Sequence, residues 1–220
     1  MSRRSRILSE YDSKRLIASY GVPTVEEAVA GDPSEAVKRA RALGFPVAVK
    51  LCAEGLAHKT ERGLVRLGVS DEDAVREAAE ALLALRRPEE HAATILVQRM
   101  VSGRRELILG LFRDRQFGAC VMLGLGGIFA EALNDVVFRV APLSRADAVS
   151  MCEELRTARI LGPFRGEPEV DRDALANALI GLGRLGVERR DILSVDVNPM
   201  VVAGAAPLAV DALVETEDAR

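Results

Sequence analysis

The spacing of apolar residues in the first half of the chain predicts helices that alternate with strands. Apolar positions recur at intervals of three or four residues in three segments, which is typical of amphipathic helices. These segments are residues 9–20, 32–44 and 70–86. Short runs rich in β-branched residues predict strands at residues 22–29, 46–51 and 64–69. The first half is therefore expected to form one lobe of mixed helices and strands.

The second half is richer in strands that follow one another directly along the chain. Strands are predicted at residues 94–101, 106–113, 117–123, 136–140, 192–202 and 208–214, and helices at residues 144–156 and 171–187. The change of pattern predicts an α+β fold in which two α+β lobes join near residues 97–103.

The strand at residues 46–51, PVAVKL, carries Lys50 in an otherwise apolar run. A lysine in a buried strand is costly unless an anion meets it. The loop that follows contains His58 and Lys59, and His58 is one of only two histidines in the chain. A strand lysine followed by such a loop is suited to phosphate chemistry. The alternative is a surface loop that carries a solvated histidine.

The last two predicted strands are joined by a short turn that fixes their register. A two-residue loop at residues 204–205 suits a tight hairpin and would place Asn198 directly opposite Asp211. Asp196 precedes Asn198 by two residues and therefore shares its face of the sheet. Two carboxylates and an amide oxygen are hard ligands that suit Mg²⁺, with phosphate oxygens completing its coordination. The alternative is a polar hairpin face that lies in solvent.

Composition and charge exclude several classes of partner. A net charge of −3 offers no basic surface for nucleic acid or for an anionic membrane. No apolar run approaches the roughly 20 residues that a membrane span requires, and no secretory signal follows the basic first residues. The three cysteines are far apart and suit apolar filling in a reducing compartment. We therefore expect a cytoplasmic protein that binds neither nucleic acid nor membrane.

A glycine cluster, GLGG at residues 124–127, follows one of the predicted strands. It does not match a dinucleotide-binding fingerprint, and no P-loop spacing occurs in the sequence. The cluster is open to two interpretations: a plain glycine turn, or a backbone pocket near an anion.

Several long segments, in order and at natural spacing, resemble one known family. They are PVAVKL with AHKTERG, GRRELILGLFRDRQFG, LGLGGIFAEALNDVVFRVAPLSRADA, FRGEPEVD, and SVDVNPMVV with AVDA. With these segments the chain resembles the ATP-grasp, β-type component of NDP-forming acyl-CoA synthetases, the ADP-forming acetate–CoA ligase group related to succinyl-CoA synthetase. The resemblance implies an ATP-grasp domain over residues 8–215, with lobes at residues 8–98 and 99–215 and a nucleotide bound between them.

The resemblance also implies an activity and its cofactors, ATP or ADP and Mg²⁺. In this family acyl-CoA, ADP and phosphate are converted to carboxylic acid, CoA and ATP through a phosphohistidine. A separate CoA-binding α subunit handles CoA and a small carboxylic acid, so the chain is expected to be the β subunit of a hetero-oligomer such as α2β2.

Residue roles can be carried over only where the motifs match. The resemblance implies that His58 shuttles the phosphoryl group and that Asp196 supports a phosphorylated histidine. It implies Mg²⁺ ligation by Asn198 and Asp211, in agreement with the hairpin argument. Nucleotide-binding positions implied in the same way are Lys50, Ala57, Lys59, Gln98, Val101 and Glu106.

Two other functions stay open on the sequence alone. One is an ATP-grasp carboxylate–amine ligase, which would form an acyl phosphate directly and has no need of a histidine such as His58. The other is a catalytically idle regulatory homologue, against which the retained Lys50, His58, Asn198 and Asp211 argue.

Overall fold

The computed structural model describes residues 5–57, 59–127 and 133–217. These residues form two units: an N-terminal unit of Arg6–Asp12 and Val25–Val101, and a C-terminal unit of Ser5, Ser13–Thr24 and the described residues from Ser102 onward. Strand β1 (Ser5–Ile7) and helix α1 (Glu10–Ser19) each pass from one unit into the other. The lobes predicted from the sequence differ from these units in two ways: the N-terminal unit extends to Val101, and Ser13–Thr24 belong to the C-terminal unit. The lobe bounds therefore remain a prediction.

The N-terminal unit is built on a four-stranded antiparallel sheet. Its strands are β2 (Glu27–Ala30), β3 (Val47–Cys52), β4 (Val65–Val69) and β5 (Thr94–Arg99). They follow the order β2-β5-β3-β4. Helices α2 (Pro33–Leu43) and α3 (Glu72–Ala84) cover one face, and a short 3₁₀ helix (Pro88–Glu90) precedes β5.

Local sequence signals account for these helices. The carboxylates of Asp32 and Asp71 accept hydrogen bonds from the amides of Glu35 (2.8 Å) and Ala74 (2.9 Å), so each helix begins at a satisfied N-cap. Helix α2 ends where Gly44 adopts a φ of 83°, which glycine allows without steric cost. The predictions for residues 32–44 and for the helix after residue 70 are confirmed.

The C-terminal unit contains a larger antiparallel sheet. Its strands are β6 (Arg105–Asp114), β7 (Gly118–Leu125), β8 (Val136–Val140), β9 (Ile192–Ala203), β10 (Ala206–Ala209) and β11 (Leu213–Glu217). Their order is β11-β9-β6-β7-β8, and β10 also pairs with β9. Helices α4 (Arg145–Glu154) and α5 (Arg172–Glu188) pack on one face, and a 3₁₀ helix (Ala158–Leu161) lies between them in the chain.

The register predicted for the closing hairpin is confirmed on both sides of an interruption. Ala206 pairs with Ala203 across the two-residue turn, and β10 keeps this register to its last residue. The same register resumes in β11, where Leu213 lies opposite Asp196. The single predicted strand at residues 208–214 is wrong, because residues 210–212 leave the ladder and separate β10 from β11.

The predicted strand at residues 22–29 is also wrong in its extent, because only β2 (Glu27–Ala30) is a strand. Thr24 instead forms a single parallel bridge with Ala209, whose amide donates to the Pro23 carbonyl at 2.8 Å. The first part of the segment therefore pairs within the C-terminal unit, and the last part pairs with β5 in the N-terminal unit.

Candidate active site

Lys50 lies on the face of the N-terminal sheet that helices α2 and α3 do not cover. Side chains alternate along β3, and Val47, Val49 and Leu51 belong to the core beneath those helices. Lys50 points to the opposite face, yet its residue is only 5% exposed. The pattern PVAVKL thus predicts the position of this lysine correctly.

The anion that meets Lys50 in the structure is the carboxylate of Glu10. Lys50 Nζ lies 2.6 Å from Glu10 Oε1, and Lys59 Nζ lies 2.7 Å from Glu10 Oε2. All three side chains are buried, with 8% exposure or less. The sequence argument required an anion at Lys50 and assigned that place to a nucleotide phosphate; it did not identify Glu10. Glu10 stabilises both ammonium groups in a region where unpaired charges would be costly.

Gln98 shares the face of Lys50. In the sheet Gln98 pairs with Ala48 of β3 and with Glu27 of β2, and Ala48 lies two residues before Lys50 on the same strand. Its side chain is almost completely buried. Val101 lies just beyond the end of β5 and is half-buried.

The segment after β3 contains three of the predicted site residues. Ala57 is half-buried, and Lys59 is held by Glu10. The amide of Leu64 donates to the Lys59 carbonyl at 2.8 Å, which fixes the end of this segment next to β4. His58 lies outside the described residues.

Glu106 lies on β6 in the C-terminal unit and is held by the glycine cluster. The Gly126 amide donates to the Glu106 carbonyl at 2.8 Å. A Cβ built on Gly126 would have the backbone and Cβ of Glu106 as its three nearest neighbours, at 2.9 to 3.1 Å. Gly126 is therefore required for close packing against Glu106, which neither interpretation of the cluster anticipated.

Asp196, Asn198 and Asp211 lie in or beside the hairpin of the C-terminal unit. Asp196 pairs with Gly110 of β6 and Leu213 of β11. The predicted direct pairing of Asn198 with Asp211 is wrong as a ladder contact, because Asp211 lies in the interruption between β10 and β11. The ladder is also irregular at β9, where the β6 register shifts beside Asn198.

The electrostatics of these carboxylates fit a cation. The Asp196 residue is exposed to solvent, but surrounding protein still raises the pKa of its carboxyl, and the charge of Asp211 raises it further. Two carboxylates that repel each other are hard oxygen ligands, which suit Mg²⁺, and the amide oxygen of Asn198 on the same strand as Asp196 is a ligand of the same kind. Within the described ranges no three His, Cys, Asp or Glu side chains gather as a metal site, so remaining ligands would come from phosphate or water.

Sequence reasoning missed the polar face of helix α1. Its buried positions are Glu10, Ser13, Lys14 and Ile17, at intervals of three and four residues. Within the C-terminal unit, Lys14 Nζ donates to the Val210 carbonyl at 3.3 Å and Ser13 Oγ accepts from the Val214 amide at 3.2 Å. Both bonds hold the chain on either side of Asp211. The sequence signal that could have identified this face is that these polar residues share a helical spacing with Ile17.

A separate cleft of about 500 Å³ opens in the N-terminal unit. It is bordered by Ser9, Tyr11 and Asp12 of the α1 region, by Cys52 at the end of β3, and by residues 89–94. None of the predicted site residues that the structure describes lines this cleft. In the part of the chain described by the structure, no helix has the length and apolar character to cross a membrane.

Comparison with known proteins identifies the family. The ATP-grasp domain family matches residues 1–216. The β subunit of ADP-forming acetate–CoA ligase I from Pyrococcus furiosus is 37% identical over 211 residues, which cover 94% of this chain and 91% of that protein. This chain belongs to the ATP-grasp family of ADP-forming acetate–CoA ligase β subunits. The family resemblance and the ATP-grasp α+β fold expected from the sequence are therefore confirmed.

Solved structures give the same result for this ATP-grasp chain. A dinucleotide-forming acetyl-coenzyme A synthetase 1 from Ca. Korarchaeum cryptofilum, in complex with coenzyme A, Ca-AMPCP and HgCl⁺, is 40% identical. The match has a TM-score of 0.89 and covers 96% of this chain and 94% of that chain. The ADP-forming acetate–CoA ligase I of Archaeoglobus fulgidus is 36% identical, and the match covers 89% of this chain but only 29% of that longer protein.

Proposed function

We propose that this chain is the nucleotide-binding β subunit of an ADP-forming acid–CoA ligase and that it relays a phosphoryl group. The overall reaction converts acyl-CoA, ADP and phosphate into carboxylic acid, CoA and ATP. The observation that best supports a phosphate-binding role is the convergence of Lys50 and Lys59 on one carboxylate. Two ammonium groups at one buried point can hold several phosphate oxygens.

Each predicted site residue has a role in this proposal. Lys50 and Lys59 bind nucleotide phosphates, and Ala57 lines the same site. Gln98, Val101 and Glu106 bind the adenosine. Asn198 and Asp211 would hold Mg²⁺, which supplies charge neutralisation to the phosphates when it is bound.

His58 carries the phosphoryl group in two transfers. Its neutral imidazole nitrogen attacks phosphorus, a nitrogen–phosphorus bond forms, and the bond to the partner's phosphohistidine breaks. An oxygen of the ADP β-phosphate then attacks the same phosphorus, and the bond to His58 breaks as ATP forms. A carboxylate on the other imidazole nitrogen fixes the tautomer that attacks, and Asp196 is our candidate for this supporting role.

The partner in this proposal is a CoA-binding α subunit. Two acetate–CoA ligase relatives from Pyrococcus furiosus are β subunits by name, and in Archaeoglobus fulgidus the matching region is part of a longer chain. We propose an α2β2 complex in which the α subunit binds CoA and a small carboxylic acid. The three buried cysteines suit a reducing compartment, and we place the complex in the cytoplasm.

Calorimetry with Mg-ADP tests the nucleotide site. Lys50→Ala and Asp211→Ala are each expected to weaken binding at least tenfold, because each removes a charge opposite the phosphates or the metal. Lys38→Ala and Asp173→Ala remove the same charges from exposed helical positions and should leave the affinity unchanged. Unchanged affinity in both site variants would overturn the assignment.

Phosphorylation in the assembled complex tests the relay. Radioactive ATP should place acid-labile, base-stable label on the wild-type chain, and His58→Asn should abolish that label while keeping Mg-nucleotide binding. The isolated chain should form no acyl-CoA until the α subunit is added. Full turnover by His58→Asn, or acyl-CoA formation by the chain alone, would contradict the proposal.

A further inference from the structure

Glu10 is the first residue of helix α1, and within the N-terminal unit it connects the two lysines proposed to bind phosphate. It is only 4% exposed. Its two oxygens contact different residues: Oε1 lies 2.6 Å from Lys50 Nζ, and Oε2 lies 2.7 Å from Lys59 Nζ. Because both oxygens belong to one carboxylate, the two ammonium nitrogens are separated by no more than two hydrogen-bond lengths and the width of that group.

This arrangement restricts both ammonium groups to one small region of the N-terminal unit. An ammonium group has three N–H donors and can contact more than one acceptor. A lysine side chain has several rotatable bonds, so an unanchored ammonium group would lose considerable entropy on binding a phosphate. Glu10 has already restricted both ammonium groups. Protein kinases provide the general precedent, since a strand lysine must be paired with a helix glutamate before phosphoryl transfer proceeds.

We propose that Glu10 is a positioning residue that holds Lys50 and Lys59 for the phosphates of one nucleotide. This inference rests on the proposed function and adds to it a residue that itself touches no phosphate. Its signature is selectivity: loss of Glu10 should weaken binding of ligands that carry phosphates and should spare the nucleoside.

The test compares ligands on the folded full-length chain and a Glu10→Gln variant. Calorimetry or competition is used with adenosine, Mg-ADP, Mg-ATP and inorganic tripolyphosphate. We expect about tenfold weaker binding of the three phosphate-bearing ligands, with adenosine affinity unchanged within about twofold; tenfold is about 1.4 kcal/mol. Glu10→Asp keeps the charge on a shorter side chain that cannot reach both lysines equally, and an intermediate loss is expected.

Glu90→Gln is the matched control. Glu90 lies in the same unit, is 9% exposed, and binds the guanidinium of Arg62 through both oxygens at 2.6 and 3.1 Å. The control therefore removes a carboxylate of similar burial that is paired with a different cation. It should retain the affinity for all four ligands, with circular dichroism confirming that each variant is folded.

Three outcomes would overturn the role of Glu10 while leaving the nucleotide site intact. The first is that Glu10→Gln binds the phosphate-bearing ligands as tightly as the wild type. The second is that it binds them more tightly, which would make Glu10 a competitor of phosphate. The third is an equal loss of affinity for adenosine, which would indicate a general structural defect. If Glu10→Gln does not fold, Glu10→Asp decides by the same comparison. A wild-type chain that binds no Mg-ADP would instead overturn the proposed function, and the role of Glu10 with it.

Discussion

Replacing Gly126 with alanine should damage the C-terminal unit at Glu106 without removing any functional group. The added Cβ would lie 2.9 Å from the Glu106 carbonyl carbon, 3.0 Å from its oxygen and 3.1 Å from its Cβ. Ordinary contacts of a Cβ begin near 3.4 Å, so the two segments must separate by several tenths of an ångström. Two of these three neighbours are backbone atoms, and no side-chain rotation can relieve the overlap.

The expected cost follows from two opposing terms. Overpacking of this kind costs about 1–3 kcal/mol. Alanine also restricts the unfolded chain relative to glycine, which returns about 0.4–1 kcal/mol. We therefore expect Gly126→Ala to lower the free energy of unfolding by about 1–2 kcal/mol in guanidinium denaturation. If Glu106 contacts the nucleotide, its displacement should weaken Mg-ADP binding about threefold to tenfold.

Gly162→Ala is the control for this prediction. Gly162 lies in the same unit, its φ is −79°, and an added Cβ would lie 3.6 Å from the Arg159 carbonyl oxygen, an ordinary contact. Its free energy of unfolding should equal that of the wild type or exceed it by up to about 1 kcal/mol, because alanine restricts the unfolded chain and meets no overlap at this position. If Gly126→Ala were as stable as Gly162→Ala and bound nucleotide equally well, the close approach of Gly126 to Glu106 would be refuted.

Two further predictions concern buried groups. Asp135→Asn should lower the free energy of unfolding by about 2–4 kcal/mol at neutral pH, because the carboxylate accepts from the amides of Arg156 and Thr157 and from the Thr157 hydroxyl. Burial raises the pKa of the Asp135 carboxyl, but these hydrogen bonds lower it by more, so the stabilisation by Asp135 is present above about pH 4 and is lost as the pH falls through the folded pKa. Denaturation between about pH 5 and pH 2 should show that the difference in unfolding free energy between Asp135→Asn and the wild type shrinks as the pH falls. A difference that stays constant over this range would contradict the prediction. Burial also raises the pKa of the Cys52, Cys120 and Cys152 thiols, so none of them should react promptly with a thiol reagent at neutral pH until the chain unfolds. Rapid labelling of the folded chain would contradict this prediction.

The register of the hairpin could be predicted because it depends on local sequence. A two-residue turn determines which residues face each other, and β10 and β11 keep that register with β9 as far as Glu215. The interruption at residues 210–212 could not be predicted in the same way. It coincides with a bond from Lys14 to the Val210 carbonyl, and these residues are 196 positions apart in the chain.

The role of Glu10 was beyond sequence reasoning for a related reason. Hydrophobic periodicity assigns polar residues to the solvent face of a helix, whereas Glu10 and Lys14 lie on the buried face of α1. The ion pair of Glu10 with Lys50 joins residues 40 positions apart. Local patterns could indicate that Lys50 needs an anion, but only the tertiary structure identifies which carboxylate supplies it.

The two-residue turn at Gly204 also limits how this chain can change in length during evolution. Exposed turns usually tolerate insertions well. One extra residue that entered the ladder here would shift β10 against β9, and every side chain of that strand would exchange faces. Asp211 would then lose its place relative to Asp196 and Asn198 although no charged residue had been altered. We therefore expect length variation among descendants of this chain to be rare at this turn, despite its exposure to solvent.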